Sequence, residues 1–345
     1  MKIIYKSISI LLSIFLFVSC EKEIDFKGEI TDPMVVVNSY ITPDSILSAH
    51  VSESRFFLND TATFKDISNA DVSVWVNGAF KEKMTFIENG TYKGSYKPAI
   101  GETIKLIVKV PGKKDVSSEA IIEPKPDVLS LDTTGIWTGK SYNTMTVGHL
   151  NGTNYEYKLD TISTVTGHII NYKLKFNDIG NVKNYYRLVV ITKENYMSIN
   201  KVTNDTTMET RDNYSFNFTD IVSGNNSTND PLSAIGGSSS DNIYNVFSDD
   251  LFNGKTYSLT FSTNEDVFNY APGYDYVLST PVEKTVYVYL QSITRDYYLY
   301  LLSRPVAVKG SDFFSEPVQV HNNIVGGIGI LGSYTSGNVF KVELK

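Results

Sequence analysis

From residue 34 onward the chain consists of short runs rich in Val, Ile, Tyr, Thr and Phe. Apolar and polar positions alternate with period two, and Gly, Asn, Asp and Pro separate the runs. Alternation of this kind sends successive side chains to opposite faces of a strand, so it selects half-buried β-structure and excludes a helical bundle. The first strand candidates are residues 34–41, 49–53, 70–76, 83–87, 91–96, 103–110 and 116–122. Asn89-Gly90, between two of them, can supply positive φ at both central positions of a tight hairpin turn. Strands at this number and spacing suit an immunoglobulin-like or transthyretin-like sandwich. Next comes Glu123-Pro-Lys-Pro-Asp127, whose two prolines cannot donate to a ladder and read as a stiff linker. The expected organisation is therefore all-β: a sandwich over 34–124, then a larger β-rich domain over 128–345.

In the second part, residues 154–161, 168–176, 185–192, 214–218, 255–262, 285–290, 318–321 and 339–344 carry the strand pattern. The stretch 223–242, dominated by Asn, Ser, Thr, Gly and Asp, reads as a long surface loop. One helix is expected over 294–303, with Thr294 as its cap, Asp296 at the positive end of the dipole and Pro305 ending it. Its Tyr297, Tyr298, Leu301 and Leu302 recur at spacing four and read as core packing against a sheet rather than a ligand platform.

The N-terminus has a different grammar. Lys2 and Lys6 precede an apolar run, Ile8 to Val18, that ends at Ser19-Cys20. Eleven helical residues reach about 16 Å against a hydrocarbon core of about 30 Å, so the run reads as a signal peptide over 1–19 and not as a span. Cys20 is the single cysteine of the chain and follows a small residue, with bulky apolar residues before it, as an acylation site requires. The expected anchor is lipid on the Cys20 thiol (diacylglycerol with a palmitate-type acyl chain), followed by a tether over 20–33. Glu21, Lys22, Glu23 and Asp25 resemble an acidic export tag that sends lipoproteins to the outer face of the outer membrane. An ordinary solvated tether would look the same.

Composition narrows the classes further. The chain carries 31 basic and 38 acidic side chains; without Lys2 and Lys6 the balance is 29 against 38, or −9. No basic stripe interleaved with aromatics is present, so nucleic acid is excluded as a partner. Gly327-Ile-Gly329-Ile-Leu-Gly332 matches a dinucleotide fingerprint by letter, but too little chain follows for a βαβ unit, and a glycine-rich turn or bulge is expected. His50, His149, His168 and His321 are scattered singly, without metal-ligand spacing. Asp249, Asn253 and Gly254 begin like a calcium loop, but Leu251 and Thr260 stand where oxygen ligands are needed, so a turn feeding a strand is expected. No nucleophile elbow is present, and the serines of 237–241 lie in the polar stretch. Choosing a carboxylate pair among 38 acids would be arbitrary. No catalytic residue, metal or cofactor is assigned. Trp75 lies on the polar face of its strand, opposite Ala70, Val72, Val74 and Val76, and is the one candidate contact for a ligand or partner. Packing under a loop is the commoner fate of such a residue.

Several segments carry a resemblance. They are Cys20-Glu-Lys-Glu-Ile-Asp25, Val35-Val-Val-Asn38 with Pro43-Asp44, Asn229-Asp-Pro231, Phe247-Ser-Asp-Asp-Leu-Phe-Asn-Gly254, Asp296-Tyr-Tyr-Leu-Tyr-Leu301, and Phe314-Ser-Glu-Pro-Val-Gln319 running on through Asn323 to Gly332. On these the chain resembles the Bacteroidota lipoproteins grouped as domain of unknown function 4249. The resemblance implies an anchored, two-part, β-rich envelope protein found beside TonB-dependent outer-membrane receptors, and implies no catalytic residues. The functional expectation is a non-enzymatic outer-membrane lipoprotein, lipid-anchored through Cys20, with the periplasmic and the surface-facing leaflet both open to it. It would serve as an accessory or ligand-capturing partner of a TonB-dependent transport complex. The alternatives are a stand-alone glycan- or peptide-binding module and, third, a hydrolase.

Overall fold

The computed structural model describes residues 32–55, 65–152, 154–199, 205–223, 242–265, 267–270, 281–309 and 319–344. Its first half contains β1 (Val35–Ile41), β2 (Ser48–Glu53), β3 (Lys65–Asp66), β4 (Asp71–Val76), β5 (Ala79–Lys83), β6 (Thr85–Glu88), β7 (Thr91–Lys93), β8 (Thr103–Lys109) and β9 (Val116–Ile121). Strands β10 (Asp127–Asn151), β11 (Asn154–Asn177), β12 (Tyr185–Ile199), β13 (Thr206–Asn213), β14 (Val246–Ser248), β15 (Thr256–Asn264), β16 (Val267–Tyr270) and β17 (Pro281–Ile293) follow. Helix α1 (Arg295–Lys309), β18 (Ile328–Ser336) and β19 (Phe340–Leu344) complete the order. The fold is all-β.

Period two decides the first core. Val35, Val37 and Ile41 of β1, Val72 and Val74 of β4, Ile104, Leu106 and Val108 of β8, and Val116 and Ala120 of β9 all point inward and are buried. Sheet β5-β4-β8-β9 supplies one side of this sandwich and β1-β2-β7-β6 the other. Asn89 and Gly90 turn between β6 and β7 with φ of 45° and 68°, as their sequence predicts. The second core is aromatic: Tyr172 stacks on Phe261 at 4.9 Å, and Phe176 meets Tyr186 and Phe252 edge-on. A third cluster seats α1 through Tyr297, Tyr298, Leu301 and Leu302 against Val246 and Ile293.

The first core ends at Ile122 and the second begins at Val128, on either side of the two prolines. One strand crosses that division. β18 lies parallel to β1, from Val36↔Ile328 to Ile41↔Ser333, and joins the two halves into one eleven-stranded sheet, while Ile324 and Leu331 enter the first core.

The seating of β18 corrects the expected glycine turn or bulge. The turn is confined to the residues before Ile328, and the motif runs on as an unbroken parallel strand without a register shift. Its glycines are there for close approach. A Cβ on Gly327 would lie 2.6 Å from the Val35 carbonyl oxygen, and one on Gly332 2.7 Å from the Tyr297 ring. At Gly329, with φ of +124°, it would lie 2.8 Å from the Val37 carbonyl carbon.

Four further expectations change. Helix α1 continues through Pro305 to Lys309. The proline removes one backbone donor, and the buried side of the helix outweighs that loss. Residues 214–218 are irregular apart from a bridge between Asn217 and Ser262, and 319–321 are irregular as well. β11 is one 24-residue strand rather than two, and β10, 25 residues long, is a strand with no sequence expectation.

Candidate functional site: a hairpin arm and an aromatic groove

β10 and β11 form one hairpin whose base is flanked by β15, along Ile169 to Asn177, and by β16, along Ser163 to Thr166. Among the described residues, 144–161 pair beyond Ser163 only with each other, and at about 3.4 Å per residue this ribbon is about 25 Å long. Facing pairs set its chemistry. Thr146↔Leu159, Gly148↔Tyr157 and Leu150↔Tyr155 share one face, and Met145↔Asp160, Val147↔Lys158 and His149↔Glu156 share the other.

The first face is apolar and open. Leu150, Tyr155, Tyr157 and Leu159 are 65%, 68%, 76% and 69% exposed, and Tyr142, also exposed, continues the row toward the base. The rings of Tyr157 and Tyr155 lie over Gly148, where a Cβ would meet them at 3.3 and 3.4 Å, so the bare backbone is roofed by aromatic rings. The second face is mixed: Met145 and Val147 share it with two pairs of neutralising charges, His149 2.8 Å from Asp160 and Lys158 3.1 Å from Glu156. Two-stranded ribbons are marginal in water without a covered apolar face, and a contiguous exposed apolar face marks a contact surface.

A separate groove of about 690 Å³ is lined by Tyr214, Phe216, Phe218, Asn217, Asn242 and Asn245, among others. Phe216 reaches down to Phe261 of the second core, 5.8 Å edge-on, and Asn217 is held by two backbone bonds to Ser262. Among the described residues no carboxylate, histidine or lysine lines this groove, and the residues that do line it can stack and hydrogen-bond.

Two clusters of titratable groups elsewhere are engaged in internal bonds. Asp296 accepts from His321 at 2.9 Å, and Ser303 is nearby, but the Ser303 hydroxyl accepts the His321 backbone N–H and donates to the Tyr300 carbonyl. That is a helix-to-loop clamp, since the hydroxyl bonds the main chain and not the ring. Lys284 lies between Glu194 at 3.4 Å and Glu265 at 3.0 Å. Burial first, and then its hydrogen bond to Glu194, pushes the Tyr196 phenol up to about 12.

Asp249 is 1% exposed. Its Oδ2 accepts from the Asn184 backbone and from the Asn253 amide, while its Oδ1 has no hydrogen-bond partner among the described residues. Burial raises its pKa, and so does the charge of Asp178, but a carboxylate closed to solvent cannot reach a substrate. The segment is a turn into β15, as expected, with Leu251 pointing outward and Phe252 in the core. Among the described residues no group of three or more His, Cys, Asp or Glu is placed to hold a metal ion.

Trp75 is half-buried and meets Phe80 edge-on at 5.7 Å on the β4–β5 hairpin, away from both the arm and the groove. Cys20 lies outside the described residues, as does most of the 223–242 stretch. Among the described residues no helix is long and apolar enough to cross a membrane. The arm is the feature that sequence reasoning missed. Its β10 side is rich in Ser, Thr, Gly and Asn, and the usable signal was the facing set Leu150, Tyr155, Tyr157 and Leu159 around Asn151-Gly152.

A family profile described as "Domain of unknown function (DUF4249)" matches residues 21–338. The chain belongs to this family. No curated protein matches this DUF4249 chain. A solved structure described as a membrane-anchored protein of Corynebacterium diphtheriae is similar at 10% identity with a TM-score of 0.21. The alignment covers 90% of the DUF4249 chain and 60% of the other, and likeness at that level carries nothing about fold or activity.

Proposed function

We propose that this DUF4249 protein is a non-enzymatic lipoprotein of the bacterial outer membrane in the Bacteroidota. It is anchored by acyl chains on Cys20, faces the cell surface, and works as an accessory partner of a TonB-dependent transport complex. The observation that carries this reading is the apolar face of the arm. With aromatic side chains burying about 150–250 Å² each, Tyr142, Leu150, Tyr155, Tyr157 and Leu159 offer on the order of 700 Å². One side of a standard protein interface needs about 800 Å².

The charges of the arm favour a protein over an anionic lipid surface. Lys140 and Lys158 are balanced by Glu156 and Asp160, whereas elements that lie on lipid carry an excess of Lys and Arg. Anchoring at Cys20 confines the chain to the membrane plane, so a modest interface suffices at the resulting effective concentration.

A photo-crosslinker at Tyr157 in intact envelopes, read by mass spectrometry, tests the reading. One dominant membrane receptor should be captured, and Tyr155→Ser with Leu159→Ser should abolish the product. Capture of lipid alone, or a product unchanged in the double variant, overturns it. Cys20→Ala should release the chain from the membrane fraction. A second reading, a stand-alone glycan- or peptide-binding module, is favoured by the groove at Tyr214, Phe216 and Phe218. Ligand binding that survives loss of the arm but not Phe216→Ala would support it.

A further inference from the structure

A second concavity, of about 210 Å³, lies where three segments meet: the linker at Glu123-Pro124, the loop from Ile179 to Tyr185, and the β17–α1 junction at Ser292 to Arg295. Its walls are fixed from behind. The Glu123 carbonyl accepts the Thr335 hydroxyl at 2.7 Å, and the next residue but one, Lys125, reaches Asn338 at 2.9 Å. The helix start is held by Thr294, whose hydroxyl accepts the Ser333 N–H. Tyr185 packs on Tyr298 at 4.7 Å.

The charges in this cavity are mismatched for a purely structural role. Lys183 is committed to Asp250 at 2.5 Å. The Glu123 and Arg295 side chains both line the cavity, yet among the described residues neither side chain has a hydrogen-bond partner, and they do not pair with each other; Arg295 feels only the charge of its neighbour Asp296. Burial alone raises the Glu123 carboxyl, with no cation offsetting it, and a half-buried carboxylate left in that state costs stability. Here a half-buried carboxylate and an exposed guanidinium line one concavity of about 210 Å³, a space of small-molecule size.

We propose that this cavity binds a small zwitterion of amino-acid to dipeptide size, its ammonium held by the Glu123 carboxylate and its carboxylate by the Arg295 guanidinium. Arg295 can take a carboxylate in two parallel hydrogen bonds, and Pro124, Ile179 and Ile293 give the ligand's side chain an apolar wall. The site shares no residue with the arm. Failure of the receptor crosslinks leaves it standing, and its own failure leaves the partner reading untouched.

The test is isothermal titration of the detergent-solubilised full chain with the proteinogenic L-amino acids and glycylglycine, each beside its N-acetyl and C-amide forms. At least one free zwitterion should bind, and either block should weaken it by about tenfold or more. Glu123→Gln should remove the preference for a free ammonium, and Arg295→Gln the preference for a free carboxylate, neither lowering the melting temperature. If a variant melts early, the comparison of blocked and free probes on the unmodified chain still decides. Absence of binding across the panel, or blocked forms binding as well as free ones, overturns the proposal.

Discussion

Replacing Gly329 by Ala tests the seating of β18 more sharply than any other change. The residue faces Val37 in the parallel ladder with φ of +124°, a conformation that costs a side-chain-bearing residue on the order of 1–3 kcal/mol. The added Cβ would overlap the Val37 carbonyl oxygen and lie 2.8 Å from its carbon, closer than real Cβ contacts. Both neighbours are backbone, so relief requires the two strands to part. Loss of two of the ladder's bonds adds about 2 kcal/mol at about 1 kcal/mol each. The combined cost is about 4 kcal/mol, which at a urea slope of about 3 kcal/mol/M moves the unfolding midpoint down by more than about 1 M. Far-UV circular dichroism against urea reads this directly. The control is Gly152→Ala, where φ is +65° and nothing lies within 4 Å, so only the strain of about 1 kcal/mol remains, in the arm. If Gly329→Ala moves the midpoint no further than Gly152→Ala does, the close approach of β18 to β1 is refuted.

Asn323 bonds both polar groups of Leu331, accepting its N–H at 2.9 Å and donating to its carbonyl at 3.0 Å, so Asn323→Ala should cost about 2–3 kcal/mol by urea titration. Asp296 is held below its ordinary value of 3.8, chiefly by the hydrogen bond from His321. A depressed carboxyl contributes stability above its unfolded pKa and loses it as pH falls through its folded pKa. His321→Ala should therefore destabilise at pH 7, and the difference from the unmodified chain should close as pH falls below 3.8 through the depressed folded value of Asp296, as melts across pH will show. A fragment of residues 34–124 lacks the parallel partner of β1, so it should melt non-cooperatively alone and regain a cooperative transition when residues 319–345 are added in trans; a sharp melt of the bare fragment refutes this.

What the sequence disclosed depends on where burial lies. Strands with one buried face, such as β1, β4 and β8, carry the alternation because Val35, Val37, Val72, Val74, Ile104 and Leu106 must point inward, and their limits were readable within a residue or two. β10 was not readable, because beyond its base neither face enters a core and nothing forces its Ser, Thr and Gly into an apolar row. The glycines of β18 suggested a turn, since local propensity has no access to the Val37 backbone and the Tyr297 ring that exclude side chains there. Pro305 was expected to end α1, and the buried Leu301 and Leu302 carry the helix past it. Trp75 stood out only because one face of β4 was considered; its neighbour Phe80 comes from the next strand. The groove depends on pairing across distant residues, Asn217 with Ser262, which no local pattern reports.

Several residues that carry the family resemblance and lie among the described ones are committed to internal contacts. Asp296 clamps His321 and Asn323, Asn323 holds Leu331, Gly327, Gly329 and Gly332 admit Val35, Val37 and Tyr297, and Asp249 with Asn253 ties the turn into β15. The surfaces able to meet another molecule use different residues: Tyr155, Tyr157 and Leu159 on the arm, Tyr214 and Phe216 in the groove, Glu123 and Arg295 in the smaller cavity. Side chains committed to internal bonds cannot also select a ligand, so these family-bearing residues specify how β18 and α1 are seated against β1. Under the proposed accessory role, choice of partner falls to the arm, whose ribbon beyond Ser163 makes no ladder to the rest of the sheet among the described residues and whose sequence is free to vary without disturbing the seat of β18.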